Sequence, residues 1–185
     1  MVHSSPNQET DEEIAKKALT NKEAFGALMS RYQAPLERYI RRLGVPRKED
    51  AEDILQNTFL KAYRNLNGFN TTLKFSSWIY RITHNETVSF IRTKHTRPEA
   101  FTNPEDDLLE RIPAAIAIER GADQVLDRAR IAHALAALDQ KYRDVIVLRF
   151  FEERDYAEIS DVLQIPKGTV ATLLNRAKKR LKHLL

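Results

Sequence analysis

Residues 49–69 read E-D-A-E-D-I-L-Q-N-T-F-L-K-A-Y-R-N-L-N-G-F, and their spacing decides how the rest of the chain is read. Leu55, Phe59, Ala62 and Leu66 recur every three or four positions, which predicts one buried stripe of an α-helix. A second stripe, Asp53, Asn57, Lys61 and Arg64, is polar throughout. Acidic residues open the segment and basic residues close it, the order that the helix dipole favours. Asn67-Gly68 is the expected stop. Periodicity by itself is satisfied equally by an ordinary amphipathic helix with a solvated face.

Outward from this helix the same period continues. In 185 residues there are only 5 glycines and 7 prolines, and strand-like alternation is absent, so the chain reads as all-α. Ile14, Ala18 and Leu19 mark a first helix; Phe25, Leu28, Met29, Tyr32, Leu36, Tyr39, Ile40 and Leu43 give a second its apolar face, and Gly44-Val45-Pro46 ends it. The aromatics of that second helix are expected in the core. Residues 75–97 form a further helix with Phe75, Trp78, Ile79 and Ile82 in front and Arg92, Lys94, His95 and Arg97 behind; Ser76 and Ser77 are the expected caps, and Trp78 is read as core. Aromatics followed by cations suit single-stranded DNA, where bases stack and phosphates need neutralising.

The segment after residue 97 differs in kind. Pro98, Pro104 and Pro113 interrupt it, Glu105, Asp106, Asp107 and Glu110 make it acidic, and it reads as a linker with one short helix near Ile112 to Arg120. Four helices are then expected. Asp155 followed by Glu158 resembles a capping box at the start of the third, and Gln164-Ile165-Pro166 turns the chain into the fourth. A short helix, a tight turn and a longer basic helix make a helix-turn-helix, whose second helix enters the major groove of DNA. That last stretch, Gln164 to Leu185, holds six lysines and arginines and no acidic residue, while the formal net charge of the whole chain is only +4. The bland alternative is a solubilising tail.

Several function classes are excluded or disfavoured. The chain has no cysteine, so disulfides, thiolate chemistry and cysteine-ligated zinc are excluded. The five histidines, His3, His84, His95, His133 and His183, lack metal-ligand spacing, and His84 is read as a helix-surface or DNA-facing residue. No phosphate-binding glycine loop, catalytic constellation or cofactor motif is visible, and no catalytic residue is nominated. Signal-peptide patterns and apolar runs long enough to span a membrane are also absent, so a cytoplasmic protein is expected.

Two blocks of residues carry a resemblance. Asp50-Ala51-Glu52-Asp53, Gln56, Phe59 and Lys61-Ala62-Tyr63-Arg64, followed by Phe75, Trp78-Ile79-Tyr80-Arg81-Ile82 and Asn85, resemble region 2 of the bacterial sigma-70 family. The likeness is greatest to the small extracytoplasmic-function (group IV) sigma factors. Leu138, Tyr142, Arg143, Leu148, Tyr156, Glu158, Ile159, Pro166, Gly168-Thr169-Val170, Arg176-Ala177 and Arg180-Leu181 resemble region 4 of the same family. The resemblance implies two small helical domains joined by a linker: a tail at 1–11, region 2 at 12–97, the linker at 98–123 and region 4 at 124–185.

It also implies roles. Asp50, Asp53, Gln56, Asn57 and Arg64 would dock on the β′ clamp helices of core RNA polymerase. Lys61, Asn67, Phe69, Asn70, Thr72, Lys74, Asn85 and Arg92 would melt and read the −10 promoter element, with a flipped base captured by the loop from Asn67 to Lys74. Lys167, Thr169, Thr172, Asn175, Arg176 and Lys179 would read the −35 element, near the polymerase β flap. No cofactor is required, and an anti-sigma factor is allowed as a further partner. The chain departs from the family pattern in three places: Asn57 replaces a usual glutamate; the loop from Asn67 to Lys74 lacks the family's usual arginine and acidic residues, which leaves the preferred base open; and Ala171 and Leu173 stand where basic residues are common, which predicts weaker or unusual −35 recognition. The alternative is a stand-alone helix-turn-helix regulator, which leaves residues 49–97 without a task; a protein–protein adaptor is the third reading.

Overall fold

The computed structural model describes residues 9–70, 73–96 and 122–185. Among these residues the chain forms eight α-helices and one 3-10 turn, without a strand. The N-terminal four are α1 (Asp11–Ala18), α2 (Lys22–Arg42), α3 (Lys48–Arg64) and α4 (Phe75–Thr96), with the 3-10 turn Leu66–Gly68 after α3. The C-terminal four are α5 (Ala122–Ala137), α6 (Gln140–Phe150), α7 (Tyr156–Leu163) and α8 (Lys167–Leu184). The tail at 1–8, Thr71-Thr72, and residues 97–121, with the short helix expected near Ile112 to Arg120, lie outside the described residues.

Local chemistry explains most boundaries. Thr10 and Glu13 form a reciprocal capping box on α1, and the Asn21 side chain accepts the Glu23 N–H at the start of α2. After α2 the chain turns at Gly44, whose φ of +114° suits glycine. The expected box on α7 is present: Asp155 accepts the Glu158 N–H and Glu158 accepts the Asp155 N–H. Gln164, at φ +54°, closes α7 in the left-handed conformation and turns the chain toward α8.

Two boundaries differ from expectation. α3 ends at Arg64 rather than at Asn67-Gly68, and the 3-10 turn that follows carries both Leu66 and Phe69 into the core. α4 is not capped by its serines, since it begins at Phe75 and Ser76 and Ser77 lie inside its first turn. The Phe75 N–H instead donates to Glu12 Oε1 at 2.8 Å, so α1 caps α4 from 63 residues away.

One apolar core runs through both halves of the chain. Leu36, Tyr39 and Ile40 of α2 and Leu43 at its C-terminal cap are fully enclosed, as are Ala51, Ala62 and Ile79 of the two helices beside it. In the C-terminal half Val145, Leu148, Ile159, Val170 and Ala177 play the same part. Each enclosed leucine or isoleucine contributes about 1.5–3 kcal/mol relative to exposure. Thr58, Thr83 and Thr87 are buried among them, and each hydroxyl donates to the carbonyl four residues back, which removes the cost of an unpaired group. α4 packs on α3 within its own half and on α7 of the other.

Candidate functional site

The outer face of α3 is built by exclusion. Ala51, Ile54, Leu55, Thr58, Phe59 and Ala62 face inward, which leaves Asp53, Gln56, Asn57, Lys61 and Arg64 exposed along the opposite side. Leu60 stands among them, 47% exposed, and belongs to no buried stripe. Sequence reading missed it, although its place outside the apolar period was the available signal. An exposed leucine between Gln56 and Arg64 adds an apolar anchor to a polar face, as protein interfaces require at their centres. Asp50 is placed differently. Its carboxylate accepts from Lys94 Nζ at 2.5 Å and is half-buried, so it pins α3 to the basic end of α4 rather than standing free for a partner.

The residues nominated for single-stranded DNA differ in exposure and in surroundings. Asn67, Asn70 and Asn85 are exposed. Lys61 Nζ donates to Glu86 Oε1 at 2.6 Å, which brings the end of α3 beside Asn85 on α4. Arg92 is exposed on a cleft lined by Gly44, Val88, Ile91, Gln140 and Arg143. Lys74 Nζ donates to Glu158 Oε1 at 2.9 Å, and this bond raises the lysine pKa above its usual value. Burial raises the Glu158 carboxyl, but the Asp155 N–H and Lys74 more than offset it and hold the pKa below the usual glutamate value. Thr72 lies outside the described residues.

Phe69 is not open to a base. Only 8% exposed, it meets Phe75 edge-on at 5.4 Å and Trp78 at 5.0 Å between ring centres. Its ring is a wall of the core because the 3-10 turn points it inward, and stacking with DNA would require that turn to open. Trp78, half-buried, closes the same cluster. The Glu12 bond to the Phe75 amide fixes where α4, which carries Phe75 and Trp78 of this cluster, begins. Glu12→Ala is expected to cost about 1 kcal/mol, the usual loss for a helix cap, readable as a fall in urea midpoint with unchanged slope; an unchanged midpoint would show the cap to be dispensable.

α8 presents the third face. Val170, Leu174 and Ala177 anchor it at helical spacing, and Lys167, Thr169, Thr172, Asn175, Arg176 and Lys179 are all exposed. The Thr172 hydroxyl donates to the Gly168 carbonyl at 2.9 Å, so only its lone pairs and methyl remain for a base edge. Leu173 is half-buried against the core. It fills a packing position, and the cation expected there would have been partly desolvated. Among the other basic residues, Lys178 lies over the Phe150 ring and Arg180 over the Tyr142 ring.

His84 departs from its reading as a surface or DNA-facing residue. Its side chain is largely buried, and Nε2 lies 3.1 Å from the Asp144 carboxylate of α6, close enough for an ion pair but not aligned as a hydrogen bond.

Known proteins are similar to this chain in sequence and in fold. Residues 28–97 match the family described as Sigma-70 region 2, and residues 128–181 match Sigma-70, region 4; together they span more than half of the chain. The ECF RNA polymerase sigma factor SigW of Bacillus subtilis is 35% identical over 74% of this chain and 75% of its own length. RNA polymerase sigma factor CnrH of Cupriavidus metallidurans is 31% identical over 92% of this chain and 91% of its own. In solved structures, CnrH in complex with the cytosolic domain of CnrY superposes with a TM-score of 0.70 at 26% identity, covering 95% of this chain and 97% of that one. The sigma factor RpoE in complex with the anti-sigma factor NepR from Bartonella quintana shares the fold, with a TM-score of 0.66 at 22% identity over 86% and 95% of the two chains. Two matched regions in one order, and relatives aligned along nearly the full length, lead to one conclusion: the chain belongs to the sigma-70 family, among the RNA polymerase sigma factors of the extracytoplasmic-function type.

Proposed function

We propose that this sigma factor docks on core RNA polymerase through the exposed face of α3 and delivers the enzyme to promoters by reading two DNA elements. Asp53, Gln56, Asn57 and Arg64, with Leu60 at their centre, form the docking face for the β′ clamp helices. Asn67, Asn70, Asn85, Lys61 and Arg92 meet the melted −10 strand, joined by Thr72 and by Lys74 once it is released from Glu158. Lys167, Thr169, Thr172, Asn175, Arg176 and Lys179 read the −35 duplex from α8, next to the β flap. The chain supplies specificity and strand separation, and the polymerase supplies the chemistry.

The observation that carries this reading is the exposure of α8's nominated residues on a helix whose opposite side is locked by Val170, Leu174 and Ala177. A rigid helix with a free polar face is what major-groove readout requires. The relative CnrH is seen in complex with the cytosolic domain of CnrY, and an anti-sigma factor is the further protein partner we infer for this chain. No helix among the described residues is long and apolar enough to cross a membrane. Action in the cytoplasm, where the polymerase is, follows from the proposal.

The test is run-off transcription from a library of genomic fragments with core polymerase, with and without the chain. Transcript 5′ ends are expected to gather downstream of one shared pair of motifs only when the chain is present. Scattered 5′ ends, together with tight binding of promoter duplex by the chain alone, would favour the stand-alone regulator instead.

A further inference from the structure

α1 has 8 residues, too few to hold a helix in water by its own hydrogen bonds, and it is kept in place by Ile14, Ala15 and Ala18, which are buried. Its acidic first turn reaches beyond its own helix. Asp11 accepts from the Arg31 guanidinium and from the Tyr32 hydroxyl of α2. Glu12, half-buried, accepts the Phe75 N–H of α4 at 2.8 Å. Burial, and after it the bond to Asp11, raise the Tyr32 pKa well above its ordinary value, so the hydroxyl remains the donor.

Both contacts lead to one residue. Glu12 holds Phe75 by its backbone, supplying an acceptor to a helix-terminal N–H that the helix itself cannot satisfy. Tyr32, held by Asp11, meets the Phe75 ring at 5.6 Å between centres. Phe75 in turn meets Phe69 edge-on at 5.4 Å, and the Phe69 N–H closes the 3-10 turn on the Leu66 carbonyl at 3.0 Å. The chain neighbours on the far sides of this ring pair are exposed: Asn70 follows Phe69, and Lys74 precedes Phe75. The buried pair therefore sets where Asn70 and Lys74 stand, and α1 sets where the buried pair stands.

Reading a base depends on such placement. Hydrogen bonds weaken steeply as they lose alignment, so a reader that drifts loses its preference for the right base before it loses all binding. Asp11 and Glu12 are themselves unsuited to the strand. Both carboxylates are engaged by protein donors, and their charge repels phosphates.

We propose that Asp11 and Glu12 are positioning residues for −10 recognition: through Tyr32 and the Phe75 backbone they hold the Phe69–Phe75 ring pair, and so fix Asn70 and Lys74 against the base they read. The proposal rests on the reading of Asn70 and Lys74 as −10 contacts. It gives α1, which carries no nominated residue, a part in promoter selection.

The test uses the full chain with core polymerase on the promoter that the run-off library returns, with each base of its −10 element replaced in turn. Strand opening is followed by the fluorescence of 2-aminopurine placed in the element. The quantity read is the ratio of the opening rate on the parent promoter to that on the worst replacement. Partial unfolding lowers both rates alike and cancels in the ratio, so the ratio separates positioning from stability. Glu12→Ala is expected to lower it about tenfold, the scale of effect that a small misplacement of a reading group produces. Affinity for core polymerase and discrimination at the −35 element, both set elsewhere in the chain, should stay within about twofold of the parent's. Glu12→Gln, whose amide oxygen still accepts the Phe75 N–H, should keep the −10 ratio. Tyr32→Phe retains the ring and removes only the bond to Asp11; it should lower the ratio about threefold, and it carries the test if Glu12→Ala is not folded.

An unchanged −10 ratio in the folded variants would overturn the proposal. So would equal losses in Glu12→Ala and Glu12→Gln, or a loss of discrimination spread evenly over both elements. A parent without base preference in the −10 element would overturn the proposed function and this inference with it, whereas a selective parent with equally selective variants would overturn the inference alone.

Discussion

Asp53→Ala combined with Gln56→Ala is expected to lower affinity for core RNA polymerase about 10²-fold, a loss of about 2.7 kcal/mol, while the melting temperature stays within about 2 °C of the parent's. Both side chains are exposed, and the buried stripe of α3 runs along the other side, so removing them leaves the core intact. Exposed substitutions away from caps and buried networks usually move stability by no more than about 0.5 kcal/mol. Leu60→Ala should add to the loss, since an exposed leucine within a polar face contributes only when a partner covers it. Asp50→Ala offers the contrast: its carboxylate is held by Lys94, and its removal should act first on stability. Binding by the double variant equal to the parent's, measured by fluorescence anisotropy with labelled protein, would remove this face from the docking assignment.

Phe75→Ala should destabilise the fold by about 3–5 kcal/mol, the usual range for deleting a buried phenyl ring. That is a large share of a total of about 5–15 kcal/mol and corresponds to a fall of about 10 °C in melting temperature. The ring is 1% exposed, with Tyr32, Phe69 and Trp78 centred 5.6, 5.4 and 5.5 Å away. Offset and edge-on arrangements of this kind add to the area they bury. Phe69→Ala separates two roles in the same cluster. If its ring is a core wall, as its burial indicates, stability falls in parallel with Phe75→Ala. Unchanged stability with lost promoter opening would instead return Phe69 to the DNA, and would mean that the turn at Leu66–Gly68 opens on the promoter.

The helices were legible because local order declares itself locally. An apolar residue every three or four positions marks an inward face, a glycine at Gly44 marks an end, and Asp155 with Glu158 marks a beginning; each signal lies within a few residues of what it specifies. The outer faces of α3 and α8 followed from the same periodicity, since whatever is not buried must be offered to solvent or to a partner. Residue-level roles are proposed only through the resemblance to sigma factors.

Tertiary structure alone decided which polar groups are free. Asp50 and Lys94, Lys74 and Glu158, and Arg42 and Glu152 lie 44, 84 and 110 residues apart, and no periodicity relates them. It also decided that Glu12 rather than a serine caps α4, that Phe69 turns inward, and that Leu173 packs where a cation was expected. The physical reason is common to all of these. A hydrophobic stripe states which side of a helix leaves water, but an ion pair or a cap depends on where the chain returns in space, and that is set by how the helices pack.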